Sequence, residues 1–278
     1  MTIMLSSGQT PVIDFHVHVY PDALAPRVLA SFLKYPIKAY SDGTANGWLT
    51  CMDDCGVETS VLLSVPTRPA QVEPANRFLA QFLDNSRLIP FAGVHPECDD
   101  AVGIIRQAAE QGFSGIKLHP LMQHFKPQER RMFPLYDAAI AEGLVVVFHA
   151  GAGMDYDDIR GSKQDFDELF ERYDYDRFVV AHLGGRPDFQ AFPAFKDGWP
   201  GYLDLAFSLG LMPDDYLVNL VRSFGVDRVL FGTDGPWHGL AEDLASVLSV
   251  GFSDEELRAM LYGNAARLLG LAPCGCRS

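Results

Sequence analysis

Apolar runs of strand length alternate with amphipathic stretches of helical period along the whole chain. The runs cover roughly residues 12–19, 57–65, 88–95, 114–119, 144–149, 177–182, 201–207 and 226–233. Helical patterns lie between them, at Glu73 to Asn85, Ala101 to Gln111, Gln128 to Glu142 and Pro213 to Phe224. Strand and helix in alternation predict a parallel sheet with helical crossovers, and a count of eight favours closure over an open sheet. In the first run Ile13, Phe15, Val17 and Val19 share one face, while Asp14, His16 and His18 share the other. The fourth run repeats this, with Ile116 and Leu118 opposing Gly115, Lys117 and His119. One face is therefore apolar and suited to packing on helices, and the other turns polar towards the C-terminal end. The fifth, sixth and eighth runs are apolar on both faces until their last residue, as buried parallel strands are. We expect a single-domain α/β protein, a slightly distorted (β/α)8 TIM barrel over residues 1–278, with about 1–10 and 271–278 as flexible tails. The stretch Tyr35 to Gly47 is an excursion after the first helix and a candidate lid.

Composition agrees with this and narrows the partners. The chain has 278 residues, 48% of them hydrophobic, enough for one large core. Its formal net charge of −14 repels phosphate backbones and anionic lipid, so neither nucleic acid nor membrane is expected as a partner. A small-molecule substrate fits better, and a local cluster of cations would suit an anionic one. Residues 1–10 lack the basic start and apolar run of a signal peptide, and no run approaches the length of a membrane span. The five cysteines, an odd number without zinc-ribbon spacing, agree with a reducing cytoplasm. No role is assigned to the tail Cys274-Gly275-Cys276. A homo-oligomer is compatible with the chain, although nothing in the sequence specifies one.

The candidate chemistry lies at the ends of the runs. Asp14-Phe15-His16-Val17-His18, Val94-His95, Leu118-His119, Phe148-His149, Ala181-His182, Leu203-Asp204 and Thr233-Asp234 each close a strand-like stretch. In a parallel barrel these residues collect at one end, where such folds keep their active sites. His16 and His18, two apart on a strand, point to the same side and can grip one ion. His149 and Asp234 would complete a site with room for water. A metal so held lowers the pKa of its water to about 7, and a nearby carboxylate or imidazole handles the protons. A His-x-His pair alone is weak evidence. The information is in the placement, with six of the eight histidines ending a predicted strand. The loop Gly151 to Ser162, with Asp155, Asp157, Asp158 and Arg160, lacks the glycine and glutamate spacing of a calcium loop and reads as a rim. Gly184-Gly185 is too short a signal for a phosphate cradle.

Together, Asp14 to His18, Gly115 to Pro120, Phe148 to Gly151, Ala181 to Gly185, Phe231 to Asp234 and the closing Tyr262 to Gly270 resemble the amidohydrolase superfamily. The chain looks most like the branch that contains aminocarboxymuconate-semialdehyde decarboxylase and many metal-dependent hydrolases. The resemblance implies His16, His18, His149 and Asp234 as metal ligands. It places His182 at a second ion or beside the metal-bound water, of which we expect the latter, as base or electrostatic stabiliser. Asp234 is expected to double as a proton shuttle. Lys117 matches the strand on which binuclear relatives carry a carbamylated bridging lysine, yet it equally suits an anion anchor. One divalent ion is the default, zinc first and manganese as the alternative, with a second ion left open.

Arg68, His95, Lys117, His119, Arg186 and Trp237 are the expected substrate contacts, with Thr67, Glu97 and His238 also following strand ends. Arginine and lysine there would suit a carboxylated substrate. The leading expectation is hydrolysis of an ester, lactone or amide by metal-bound hydroxide. Non-oxidative decarboxylation on the same ligands is the alternative, and a non-catalytic metal-binding barrel is the alternative of another class.

Overall fold

The computed structural model of the chain describes residues 3–152, 159–185 and 198–272. A two-stranded antiparallel hairpin opens it, β1 (Ile3–Leu5) and β2 (Gly8–Thr10), with Ile3 opposite Thr10. Where a flexible tail was expected there is thus a paired element, whose Leu5 and Thr10 are buried. Its short strands flank a polar Ser6-Ser7 turn, both of whose hydroxyls donate to Asp254.

Eight further strands coincide with the eight apolar runs. They are β3 (Ile13–Val17), β4 (Thr59–Leu63), β5 (Leu88–Gly93), β6 (Gly115–Leu118), β7 (Val145–Phe148), β8 (Phe178–Val180), β9 (Tyr202–Asp204) and β10 (Val229–Leu230). The strand order in their sheet is β10-β9-β8-β7-β6-β5-β4-β3, sequential throughout. The pairing is parallel, as in β6 and β7, where Gly115 to Leu118 face Val145 to Phe148. The two end strands also meet. The Phe15 N–H donates to the Phe231 carbonyl at 2.9 Å, the Asp234 N–H donates to that of His16 at 2.9 Å, and Val17 bridges Gly235 in parallel. An eight-stranded parallel order whose ends are joined is the expected (β/α)8 architecture. Several strands are shorter than their apolar runs. The last run begins instead with a 3-10 turn at Val226–Arg228, which carries the charged pair Asp227 and Arg228.

The helices are α1 (Ala25–Phe32), α2 (Ala45–Cys55), α3 (Val72–Leu79), α4 (Ala101–Gln111), α5 (Phe133–Ala141), α6 (Lys163–Phe170), α7 (Asp214–Phe224), α8 (Leu240–Ser249), α9 (Asp254–Arg258) and α10 (Asn264–Leu269). Local chemistry starts and stops them. The side chain of Thr44 accepts from Gly47 N–H to open α2, and Asp100 accepts from Gly103 N–H to open α4. Gly56 and Gly112 end those helices at φ of 73° and 96°, a conformation that side chains disfavour. Ser162 with Asp165, and Ser253 with Glu256, form capping boxes on α6 and α9.

Two sets of residues pack compactly. One comprises residues 1–62, 86–88 and 205–278, and the other 63–85 and 89–204. In the first, Ile13, Phe15, Trp48, Met52 and Phe231 are fully buried. The Trp48 indole N–H donates to Ser60 Oγ at 3.0 Å, and a π-helical turn at Ala259–Gly263 offers the Met260 carbonyl to Phe231 N–H. In the second, Phe148 contacts Tyr136, Phe166 and Phe178 edge-to-face at centroid distances of 5.6, 5.6 and 5.5 Å.

Candidate metal centre

In the first unit, β3 and the segment after β10 bring together three of the residues expected from sequence. His16 lies on β3, His18 just beyond it, and Asp234 four residues beyond Leu230. The Nε2 atoms of His16 and His18 lie 3.3 and 3.0 Å from the same oxygen, Asp234 Oδ1. One ligand atom from each of the three lies within 4.8 Å of the others. The imidazoles meet edge to face at 5.2 Å. His16 is almost fully buried, while the His18 and Asp234 side chains keep 11% and 15% exposure, which leaves the cluster open on one side. Two imidazoles converging on one carboxylate oxygen, at the open end of a buried strand, form the donor set that zinc or manganese takes. The residues therefore fit a divalent ion.

A strained turn, fixed by backbone hydrogen bonds, presents the carboxylate there. Asp234 has φ of 71°, a left-handed conformation that costs a non-glycine residue about 1 kcal/mol or more. Its N–H bond to His16 O and the Trp237 N–H bond to its own carbonyl fix that turn. Beneath the candidate metal residues, the buried Asp14 carboxyl group ties the two segments together. Asp14 Oδ1 accepts from His16 N–H and Thr233 N–H, both at 3.1 Å, and Oδ2 accepts from the Thr233 hydroxyl at 2.7 Å. The Thr233 hydroxyl oxygen in turn accepts from Gly235 N–H at 3.0 Å. Burial pushes the Asp14 carboxyl up to about 8, against the lowering effect of these hydrogen bonds. Tyr20 is held above the usual phenol range, first by burial and then by the Asp234 charge.

The second unit holds the other strand-end histidines. His149 Nδ1 lies 3.0 Å from His182 Nε2, and the His119 ring stacks on that of His149 at 3.8 Å and 12°. His182 has φ of 58°, and its N–H donates to Asp204 Oδ1 at 2.8 Å, so the buried β9 carboxylate fixes the strained turn that carries it. Nδ1 of His119 accepts from Met122 N–H, and its backbone is pinned by Gln123, whose amide N–H groups donate to the Pro66 and Val94 carbonyls. Lys117 on β6 is 1% exposed, unusual for an amine and consistent with a built environment around it.

The remaining expected contacts divide. His95 is buried, its Nδ1 accepts from Glu97 N–H, and burial lowers its pKa. Trp237 is buried against Phe32, with ring centroids 4.0 Å apart. Arg68 is exposed at the head of a 3-10 turn, where its N–H donates to Gln71 Oε1. Arg186, the aspartates 155, 157 and 158, and both tail cysteines lie outside the described residues. Sequence reasoning missed Thr233, Gln123 and Asp243, and gave Asp14 and Asp204 no task. The two aspartates carried a signal, since one shares the polar face of β3 and the other ends β9.

A protein-family model described as amidohydrolase matches residues 13–271. The chain belongs to the amidohydrolase family. No curated protein matches this amidohydrolase in sequence. Among solved structures, an uncharacterised TIM-barrel protein, Bb4693 from Bordetella bronchiseptica, is 20% identical with a TM-score of 0.75, over 94% of this chain and 98% of that one. The 5-carboxyvanillate decarboxylase LigW from Sphingomonas paucimobilis is 16% identical with a TM-score of 0.70, over 95% and 100%. A dihydroxybenzoic acid decarboxylase from Polaromonas sp. JS666, with bound manganese and the inhibitor 2-nitroresorcinol, is 16% identical with a TM-score of 0.70, over 94% and 97%. At these identities the likeness establishes the fold, the TIM barrel. Among the described residues, no helix of the amidohydrolase is long and apolar enough to cross a membrane.

Proposed function

We propose that this amidohydrolase is a metal-dependent decarboxylase of a small hydroxylated aromatic or unsaturated carboxylic acid. The observation that carries the reading is the convergence of His16, His18 and Asp234 on one point, at 3.3 and 3.0 Å. The manganese-bound decarboxylase of the same fold supports the choice of reaction. That choice reverses the order of the two chemistries suggested by the sequence. His16, His18 and Asp234 hold the ion, manganese or zinc, and His149 serves as a further ligand by its sequence motif. When bound, the ion supplies Lewis-acid charge for the substrate and lowers the pKa of a water.

The residues of the chain do the rest. Decarboxylation breaks the bond between the ring carbon and the carboxylate; the electron pair stays on the ring carbon, which takes up a proton as carbon dioxide leaves. Asp234 and His182 are assigned to that proton, and the 3.0 Å contact between His182 Nε2 and His149 Nδ1 couples the tautomers of the two rings. Asp204 holds His182 in its strained turn. Lys117 and His119 are assigned to the substrate's anionic and hydroxyl groups, and His95, Arg68, Arg186 and Trp237 are proposed as further substrate contacts. A carboxylated small molecule remains the proposed partner.

Hydrolysis is the second reading, favoured by the description of the matching family model. Here water adds to a carbonyl carbon, and the leaving oxygen or nitrogen takes the proton from the same groups. The test is product analysis on protein loaded with manganese or zinc, given 2,6-dihydroxybenzoate, 5-carboxyvanillate and simple aromatic lactones. Carbon dioxide release from an acid supports decarboxylation. Lactone opening without any carbon dioxide release reverses the order, and neither reaction in a metal-loaded protein overturns both.

A further inference from the structure

Four residues beyond Asp234, His238 makes a pairing that the proposed chemistry does not use. Its Nδ1 lies 2.8 Å from Oδ1 of Asp243, a residue only 2% exposed in the first turn of α8. The other carboxylate oxygen, Oδ2, is buried with no hydrogen-bond partner among the described residues. A carboxylate buried in this way, with one oxygen unpaired, is costly. Burial raises the Asp243 pKa, and the bond to His238 opposes that rise.

The imidazole is fixed from a second direction. The ring of Phe207 packs on it at 4.5 Å and 47°. Phe207 is itself strained, at φ of 52°, and its N–H donates to the Thr233 carbonyl, next to Asp234. Strain of this kind persists where the surroundings over-determine it, and it clusters at functional sites. The His238 side chain keeps 22% exposure beside the nearly closed Asp243, so part of the ring is open to a ligand.

We propose that His238 is a further substrate-contacting residue of this amidohydrolase, with Nε2 accepting a hydrogen bond from a substrate hydroxyl. Asp243 is its positioning residue. By accepting the Nδ1 proton, the carboxylate places the lone pair on Nε2, the tautomer logic of a carboxylate–histidine pair. The occupant is a phenolic or enolic hydroxyl, the group that sits beside the carboxylate in a hydroxylated acid. The proposal rests on the reading of the metal centre given above. The bland alternative is an ion pair that only anchors the start of α8, and it predicts no effect on ligand binding.

Manganese-loaded wild type, His238→Leu and Asp243→Asn are titrated calorimetrically with 2-nitroresorcinol as the phenolic probe. Manganese content is measured on each sample, and histidine 15N spectra of the diamagnetic zinc-loaded proteins report the tautomer. We expect His238 protonated on Nδ1 in wild type and a share of the proton moved to Nε2 in Asp243→Asn. His238→Leu should bind the probe roughly tenfold more weakly, the loss of one net hydrogen bond, and Asp243→Asn should fall between it and wild type, with manganese unchanged. Unchanged affinity in His238→Leu overturns the contact even if Asp243→Asn is less stable. An Nε2-protonated His238 in wild type overturns the role of Asp243. Wild type that loads manganese but ignores the probe overturns the hydroxylated substrate class and this contact with it, whereas failure to load manganese overturns the metal centre.

Discussion

Thr233→Val isolates the clamp beneath the metal centre, because valine keeps the shape and β-branching of threonine and removes only the hydroxyl. That hydroxyl donates to Asp14 Oδ2 at 2.7 Å and accepts from Gly235 N–H at 3.0 Å. Asp14 and Thr233 have no exposure and Gly235 is buried, so no water replaces either bond. The substitution strands one acceptor and one donor, each costing about 1–3 kcal/mol. The new methyl returns less than about 1 kcal/mol. The expected loss is therefore about 1–6 kcal/mol, a large part of a typical domain's stability. The same clamp sets the turn that presents Asp234, and loss of such outer support typically weakens metal binding by about 10- to 100-fold.

Two assays follow from this, urea unfolding of metal-free protein and manganese affinity by competition with a chelator. Thr233→Ser is the control, since it keeps both bonds and sheds a methyl worth about 1 kcal/mol. It should retain near-normal manganese affinity. If Thr233→Val unfolds within about 0.5 kcal/mol of wild type and binds manganese within about twofold, the clamp is not what holds the ligands, and the argument fails.

Three further outcomes are expected. His16→Ala with His18→Ala should lower bound manganese or zinc from about one equivalent to under about a tenth by elemental analysis, with far-ultraviolet dichroism unchanged; retained metal would refute the ligand assignment. In Gly235→Ala the added Cβ would run into the Trp48 ring, so overpacking of about 1–3 kcal/mol should lower the melting temperature by roughly 2–5 °C, and an unshifted melt would contradict the close approach. Glu256 is held down to about 2, chiefly by its hydrogen bond to Arg222, with contacts of 2.7 and 2.9 Å. A depressed carboxylate stabilises above its unfolded pKa and loses that contribution as pH falls through the folded one. Glu256→Gln should therefore cost up to about 1 kcal/mol at pH 7, with the gap to wild type closing between about pH 5 and pH 2 in thermal melts; a gap independent of pH would count against it.

What the sequence made legible follows the range of the interactions. Strands β3 to β10 were visible because a parallel strand covered on both faces must be apolar along its length, as Val145–Phe148 is. The ends of α2 and α4 were visible in principle, since Thr44, Gly56, Asp100 and Gly112 act within one turn. The β1–β2 hairpin was not, because three-residue strands around Ser6-Ser7 show too little period to separate them from a tail. His16 and His18 could be paired from their spacing, and Asp234 from its place at a strand end. The clamp could not, since Thr233 meets Asp14 across 219 residues, and alternation says which face Asp14 takes but not which hydroxyl waits there. His238 and Asp243 are only five apart, yet they straddle a loop and a helix start, where no periodic pattern links them. The reaction is hidden for a different reason. Hydrolysis and decarboxylation both ask for an ion, a proton carrier and an anion anchor, so the residues that mark the site are those least able to choose between them. The choice falls to groups that touch the parts of a substrate the two reactions do not share. A histidine tuned by a buried carboxylate to accept a hydroxyl proton is such a group: a hydroxylated acid presents that hydroxyl and a simple lactone does not.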